Sequence, residues 1–297
     1  MRIKNIKKKM LKAALAAALL GAVSLTGCSG GDQAAAENNG ESVNAENQAE
    51  AGDGAQSEGD ALQRIMDRGE LIVATEGTWS PWTYHDEEDR LTGFDVELAR
   101  KIAEHMGVEA TFVEGEWDGL LAGMDGGRYD LVINGVDITE ERAEKYDFSE
   151  PYAYNHTVII VNSDNDDITG FDDLEGKRTA NTISGTYAVL AESYGAEVVG
   201  VGALNESFEL LKTGRVDATL NDEVTYYDYL GEHPEADFKV AAKSEDAQEV
   251  AIPMRKGEDT ESLRAAVNEA IDALRESGEL SELSEQFFGQ DITGETE

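Results

Sequence analysis

Residues 130–152 read DLVINGVDITEERAEKYDFSEPY and combine a short apolar run, a polar turn and one arginine. The run at 130–134 contains β-branched residues and is typical of a strand that is covered on both faces. Gly135 lets the backbone turn, and the Thr-Glu-Glu segment at 139–141 is typical of a helix start. The stretch therefore predicts a buried parallel strand that leads through a turn into a helix carrying Arg142.

Arg142 is the first candidate for a binding residue. It follows the carboxyl end of the predicted strand, where open α/β sheets place their ligands. Its guanidinium offers two parallel N–H donors, which match the two oxygens of a carboxylate. The alternative is a surface arginine paired with Glu141 or Glu144.

The first 27 residues are predicted to be a secretory signal peptide. Residues 1–12 carry six basic and no acidic side chains, and residues 10–25 form an apolar stretch too short for a comfortable transmembrane helix. The following Leu-Thr-Gly-Cys at 25–28 resembles the lipobox of bacterial lipoproteins, which implies lipidation of Cys28. The alternative for this cysteine is a buried free thiol. Because Cys28 is the only cysteine, intramolecular disulfides and cysteine-rich metal sites are excluded.

Residues 28–60 are predicted to form a disordered acidic tether behind the lipidated cysteine. From residue 29 onward the segment has no aromatic and no basic side chain, so it cannot bury enough apolar surface to fold. Its root-mean-square span would be roughly 30 Å. The formal net charge of the whole chain is −38, and removal of residues 1–27 would make it more negative by six. This charge argues against nucleic acid as a partner.

From residue 61 to about 289, short β-branched runs alternate with helical periodicity. A β-α-β-α-β order at the start implies a parallel sheet with helices on its faces, and the pattern restarts after residue 152. The fold class is therefore α/β, with two lobes and a cleft between them. Strands are predicted at 71–75, 110–113, 130–134, 157–161, 178–181, 197–201, 218–221, 238–242 and 249–253, and helices at 93–106, 117–124, 184–194, 204–213, 222–231 and 263–274.

All three tryptophans fall in the first half of this region. Trp79 and Trp82 lie in the loop after the first predicted strand, and Trp117 opens the helix after the second. Aromatic side chains that meet at one rim would form a wall for an apolar or flat ligand group. The alternative for each of them is a place in the core.

The second half offers two further candidates. Ser184-Gly185-Thr186 precedes a predicted helix, where free N–H groups and hydroxyls can bind an anion. Asp222 follows an apolar strand and starts a helix, so it can bind an ammonium group. For both segments, capping of the helix is the alternative. An arginine for a carboxylate and an aspartate for an ammonium together match the two ends of an α-amino acid.

The chain resembles a known family, the family 3 extracellular solute-binding proteins, which are the amino-acid receptors of ABC importers. The resemblance covers residues 61–289 and depends on many motifs in the same order. They are GTWSPW at 77–82, LTGFDVELA at 91–99, WDGLL at 117–121, ITEER at 138–142, DFSEPY at 147–152, DLEGK at 173–177, GRVDA at 214–218 and NDE at 221–223.

The resemblance implies roles for individual residues. Arg142 would bind the ligand α-carboxylate with help from Thr186, and Asp222 would bind the α-ammonium. Asp137 departs from the pattern, because the family commonly has Ser or Thr there. Its carboxylate would strengthen recognition of the ammonium or select a cationic side chain. The complete set of expected ligand-binding residues is Trp79, Trp82, Trp117, Asn134, Gly135, Asp137, Arg142, Ile183, Thr186, Tyr187 and Asp222.

The family fold implies a type II periplasmic-binding-protein architecture, with lobe 1 at residues 61–155 plus 251–297 and lobe 2 at 156–250. A two-strand hinge would lie near 154–158 and 248–252. Closure of this hinge would bring Arg142 and Asp222 onto the same ligand and exclude water.

The resemblance also implies partners and location. The expected partners are a free amino acid, the membrane permease subunits of an ABC importer, and the membrane through the lipid on Cys28. The chain would be an extracytoplasmic monomer, and no cofactor, metal or catalytic residue is expected.

Three other functions are weighed against this one. Some relatives on the same fold resemble amino-acid dehydratases, but the four histidines form no spaced cluster for acid–base catalysis. A sensory module normally has a transmembrane helix in the same chain, and none follows Cys28. A metal-binding protein is disfavoured, because it would need a cluster of His or Cys side chains that the sequence does not offer.

Segments at 116–119 and 132–134 look most like the polar amino-acid and cystine branch of the family, and three tryptophans suit a ligand with a large side chain.

Overall fold

The computed structural model describes residues 60–294. The predicted signal peptide, the predicted lipidation site Cys28 and nearly all of the predicted tether lie outside the described residues. Within the described part, no helix is long and apolar enough to cross a membrane.

The first half of the described chain contains a three-stranded parallel sheet, in the order β5-β1-β6, with helices around it. This arrangement confirms the parallel sheet predicted from the β-α-β-α-β order. Its elements are α1 (Ala61–Arg68), β1 (Glu70–Thr75), β2 (Thr78–Trp79), β3 (Thr83–His85), β4 (Leu91–Thr92), α2 (Phe94–Met106), β5 (Glu109–Glu114), α3 (Trp117–Asp125), β6 (Leu131–Val132), α4 (Glu140–Lys145), β7 (Tyr146–Phe148) and β8 (Ala153–Asn155).

Two features of this half differ from the sequence-based expectation. The strand predicted at 130–134 is paired only over Leu131–Val132, because the chain turns away at Asn134 and Gly135. The loop after the first predicted strand contains β2 and β3, which form an antiparallel meander with β4. Such short strands have too few residues to show a period of two in the sequence.

The second half contains a three-stranded antiparallel sheet, β12-β9-β13, and a parallel pair, β10-β11. A single parallel bridge between Thr179 and Ala218 joins the pair to this sheet. The elements are β9 (Thr157–Asn162), β10 (Arg178–Asn181), α5 (Thr186–Ser193), β11 (Glu197–Gly200), α6 (Leu204–Lys212), β12 (Thr219–Asp222), α7 (Glu223–Glu232), β13 (Phe238–Lys243), β14 (Gln248–Val250), β15 (Pro253–Arg255), α8 (Glu261–Ser277) and α9 (Glu279–Phe288).

The apolar side chains form two sets of core clusters. One set draws mainly on residues 61–153 and 250–292, and the other on 158–242. Val224 of α7 is an exception, since it packs in the first set. We use lobe 1 and lobe 2 for these two parts of the chain, with the residue limits predicted from the sequence.

The chain passes between the lobes near residues 155–157 and again near 243–248. Beside these passages, β14 pairs antiparallel with β8, and β15 pairs antiparallel with β7. The strand predicted at 249–253 is thus divided into two short strands, each with its own partner. The C-terminal helix α8 returns to lobe 1, where Leu263, Val267 and Ile271 are buried on one stripe. Burial of each such side chain stabilises the fold by about 1.5–3 kcal/mol.

Candidate functional site

A cavity lies between the lobes. Seven of the residues predicted from the sequence line it: Trp79, Trp117, Gly135, Asp137, Arg142, Thr186 and Tyr187. The structure therefore brings residues from both lobes to one cavity.

Arg142 lies in the first turn of α4, at the wall of the cavity. Thr139 caps this helix, because its hydroxyl accepts a hydrogen bond of 3.1 Å from the Arg142 N–H. The guanidinium lies over the Trp117 ring at 5.1 Å, and its Nη1 donates to the Asp137 carbonyl at 3.0 Å. Burial lowers the pKa of Arg142. No ion pair involving Arg142 is present among residues 60–294, so its remaining N–H donors are available to an anion.

Asp137 is buried, with 5% of its surface exposed, and also lines the cavity. Its Oδ2 accepts a hydrogen bond of 2.5 Å from the Thr186 hydroxyl in lobe 2. Burial raises the pKa of Asp137 to about 6, against the opposing effects of this hydrogen bond and of Arg142. Because a threonine hydroxyl has one proton, the Thr186 hydroxyl in this arrangement donates to Asp137 and cannot also donate to a ligand.

Gly135 has a φ of +54°, a conformation that L side chains rarely adopt. Its N–H donates to Oδ2 of the buried Asp95 at 2.5 Å, and an added Cβ would lie 2.6 Å from Cζ3 of Trp79. Glycine at this position therefore allows the Trp79 ring to lie directly on the backbone.

The three tryptophans divide between core and cavity. Trp82 is 1% exposed and packs against Phe94 and Phe288 in the core. Trp79 stacks on Trp82 at 5.7 Å and faces the cavity, as does Trp117. The indole N–H groups of Trp79 and Trp117 are buried and have no hydrogen-bond partner among the described residues.

Asp222 is buried just outside the cavity lining. Its Oδ1 accepts from the N–H of Thr225 at 2.6 Å, so the capping interpretation of this residue is correct. Its Oδ2 accepts from Trp82 Nε1 at 2.9 Å and from the Tyr187 hydroxyl at 3.4 Å. Burial raises the pKa of Asp222. The hydrogen bonds from these neutral donors act in the opposite direction but have a smaller effect.

Two other predicted residues lie away from the cavity lining. Asn134 is buried and supports Glu76, because its Nδ2 donates to Glu76 Oε2 at 2.7 Å and its Oδ1 accepts from the Glu76 N–H at 2.8 Å. Ile183 is 63% exposed and packs over Gly200.

Ser184 is not the cap of α5, because the helix begins at Thr186 with Gly185 as its N-cap. The Ser184 hydroxyl instead donates across the cleft to Asp118 Oδ1 at 2.5 Å, and its N–H lies 3.3 Å from the same oxygen.

Sequence reasoning missed five polar lining residues: Glu76, Asn181, Thr182, Ser207 and Asn221. Glu76 directly follows β1 and Asn181 ends β10, so the rule that selected Arg142 would have selected both. Burial raises the pKa of Glu76 to about 7, although its hydrogen bond with Asn134 acts in the opposite direction. Among residues 60–294 there is no group of three or more His, Cys, Asp or Glu side chains placed to hold a metal ion.

This combination of an interlobe cavity, an arginine and buried carboxylates agrees with the outcome of comparison with known proteins. A family model described as "Bacterial extracellular solute-binding proteins, family 3" matches residues 71–290. The chain belongs to this family. A relative from Haemophilus influenzae, named probable amino-acid ABC transporter-binding protein, is 38% identical over 79% of this chain and 91% of its own length.

Two other members extend the comparison. The L-cystine-binding protein TcyA of Bacillus subtilis is 36% identical over 80% of this chain and 87% of its own length. Among solved structures, an ancestral arginine-binding protein bound to arginine superposes with a TM-score of 0.70 at 34% identity, and covers 75% of this chain and 99% of its own. These similarities confirm the type II periplasmic-binding-protein fold. The names of these three proteins describe binding proteins and not enzymes.

Proposed function

We propose that this chain is an extracytoplasmic receptor that binds a free L-amino acid between its lobes and delivers it to the permease of an ABC importer. The observation that carries this proposal is the interlobe cavity with Arg142 at its wall. The guanidinium keeps free donors there, held in place by the Trp117 ring and the Asp137 carbonyl. These donors would bind the α-carboxylate as a fork.

The α-ammonium would be bound by Asp222, with Asp137 beside it. The charge of Asp222 raises the pKa of Asp137, and the hydrogen-bond donors around Asp222 are neutral. An ammonium in this region would relieve the repulsion between the two carboxylates, and each charge-assisted hydrogen bond would contribute about 1.5–3 kcal/mol.

The relatives' names narrow the ligand to candidates, among them cystine and arginine. The large aromatic wall of Trp79 and Trp117 favours a long or bulky side chain over a small one. The ligand would be released unchanged, which mass spectrometry of the ligand after incubation with the protein checks directly.

The test is a thermal-shift screen of the full chain with the twenty amino acids, cystine, ornithine and glutathione, followed by calorimetry with the ligand that stabilises it most. We expect Arg142→Ala to weaken binding of that ligand by at least roughly 100-fold, because a charge-assisted pair is lost in a buried site.

Arg128→Ala is the matched control for this experiment. Arg128 also lies over an aromatic ring, at 5.9 Å from the Tyr129 centroid, but it is exposed and outside the cavity lining. Its replacement should leave the affinity unchanged. Equal affinity in Arg142→Ala and the unmodified chain would show that the carboxylate role is wrong.

A further inference from the structure

Asn181 carries a polar atom that the rest of the described structure leaves without a partner. The residue ends β10, is 4% exposed and lines the cavity. Its Oδ1 is buried and has no hydrogen-bond partner among residues 60–294. A buried acceptor without a partner is destabilising, and native structures rarely keep one except where a ligand or a water supplies the donor.

The orientation of the Asn181 amide is fixed by its other end. Nδ2 donates to the Leu220 carbonyl on β12 at 2.7 Å. Rotation of the amide by 180° would place two carbonyl oxygens against each other, so the nitrogen must face Leu220. The acceptor is therefore held on the opposite side of the amide, and Asn181 cannot offer a donor in its place.

Asn181 also belongs to a wall of the cavity that the amino-acid backbone does not need. The residues proposed to bind the carboxylate and the ammonium come from α4, the β12–α7 junction and the loop after β6. The wall around Asn181 is completed by Ala203, Leu204 and Ser207, at the start of α6. This side of the cavity is left for the ligand side chain.

We infer that Asn181 is a specificity-determining residue, which accepts a hydrogen bond from an N–H donor on the side chain of the bound amino acid. This inference rests on the proposed function and names the class of ligand: amino acids whose side chain ends in an amide, guanidinium or ammonium group. Aliphatic and thioether side chains leave Oδ1 without a partner and are selected against. A site built to receive a donor rejects the analogue that lacks it far more strongly than an apolar pocket rejects a missing methylene.

The test uses pairs of ligands that differ in the donor but have similar shape: lysine with 2-aminoheptanoic acid, ornithine with norleucine, and glutamine with glutamate γ-methyl ester. Affinities for the full chain are measured by calorimetry. We expect the donor-bearing member of at least one pair to bind at least roughly 10-fold more tightly than its analogue. In Asn181→Leu, which has the same branching and number of side-chain heavy atoms and no acceptor, this ratio should fall to near one.

Thr219→Val is the matched control variant. The Thr219 hydroxyl donates to the Ala180 carbonyl at 2.7 Å, so it joins the same two strands as Asn181 but lies outside the cavity lining. Loss of that bond should lower stability and keep the ratio of the ligand pair. If Asn181→Leu does not fold, Asn181→Val, with a β-branched side chain suited to a strand and no acceptor, serves the same comparison.

The outcomes separate this inference from the proposed function. Binding of amino acids without discrimination within any pair, or an unchanged ratio in the Asn181 variant, overturns the specificity role and leaves the receptor function standing. An equal loss of affinity for both members of a pair in Asn181→Leu also overturns it, since the acceptor would then serve the α-ammonium. Failure of every amino acid to bind overturns both.

Discussion

Asp95 is a buried carboxylic acid that holds the cavity wall without touching the cavity. Its Oδ2 accepts from the Gly135 N–H at 2.5 Å and its Oδ1 from the Tyr152 hydroxyl at 2.9 Å. No cation faces it among the described residues, and Asp222 adds a repulsive charge. Burial is the largest effect and raises the pKa of Asp95 from 3.8 to about 7.

This shift predicts how stability depends on pH. In the unfolded chain Asp95 loses its proton near pH 3.8, whereas in the folded chain it keeps it up to about pH 7. The folded state therefore binds more protons in this window, and the contribution of Asp95 to stability falls as the pH rises, by at most about 1.4 kcal/mol per pH unit. The free energy of unfolding of Asp95→Asn, measured by denaturant titration at several pH values from 5 to 8, should lack this contribution.

The quantity compared is the difference in free energy of unfolding between the unmodified chain and Asp95→Asn, so that the effects of the other acids, which both chains share, cancel. The unmodified chain should lose stability relative to Asp95→Asn as the pH rises from 5 to 8. A constant difference between the two chains across this range would contradict the raised pKa.

At the scale of elements, the start of α3 and the segment before α5 meet across the cleft. Asp118 in the first turn of α3 accepts from the hydroxyl and the N–H of Ser184, which precedes α5. Both residues are exposed and neither belongs to the lining of the ligand cavity. This pair is placed to hold the lobes together, and it must break before a ligand can leave.

We expect Asp118→Ala and Ser184→Ala to speed ligand dissociation by roughly 5-fold to 10-fold, as measured by stopped-flow displacement, with a small effect on association. Ser193→Ala is the matched control, since the Ser193 hydroxyl donates to the Leu190 carbonyl within α5 and makes no contact across the cleft. Dissociation rates equal to that of the control would mean that this pair does not hold the cleft closed.

How much of these elements could be predicted depends on their length and on where their side chains bond. The long helices α2 and α8 carry full apolar stripes, so their positions follow from periodicity. The start of α5 was predicted two residues early, because a serine before a helix is typical of a cap. The hydroxyl of Ser184 bonds instead to a residue 66 positions away, which local sequence rules cannot see.

The site residues also divide into those that local sequence predicts and those whose contacts depend on the tertiary fold. Arg142, Trp79 and Trp117 were identified from strand ends and from resemblance, and they line the cavity. Trp82 stands three residues from Trp79 in the same motif, but it packs in the core, since only the tertiary fold brings Phe94 and Phe288 around it. Asp137 bonds to Thr186, and this contact depends on how the two lobes meet.

At the scale of the whole molecule, the proposed lipid on Cys28 would keep a strongly acidic receptor at the membrane. The family is extracellular, and the formal charge of −38 gives the chain no attraction of its own to an anionic lipid surface. We therefore expect membrane association to depend on Cys28 alone. After cell fractionation, Cys28→Ala should move from the membrane to the soluble fraction or to the medium.

Ser29→Ala, one residue further on, is the control and should stay with the membrane. Radiolabelled palmitate supplied to growing cells should label the unmodified chain and not the Cys28 variant. Membrane association that persists without Cys28 would show that another part of the chain provides the anchor.

The placement of the three tryptophans also gives the protein an intrinsic fluorescence signal for ligand binding. The whole sequence contains three: Trp79 and Trp117 line the cavity, and Trp82 lies in the core but stacks on Trp79 at 5.7 Å. Excitation at the red edge of the indole band would therefore give emission from the two cavity tryptophans and from the one stacked behind Trp79. A change in quenching or in emission wavelength on titration with a solute would measure occupancy of this cavity in unlabelled protein.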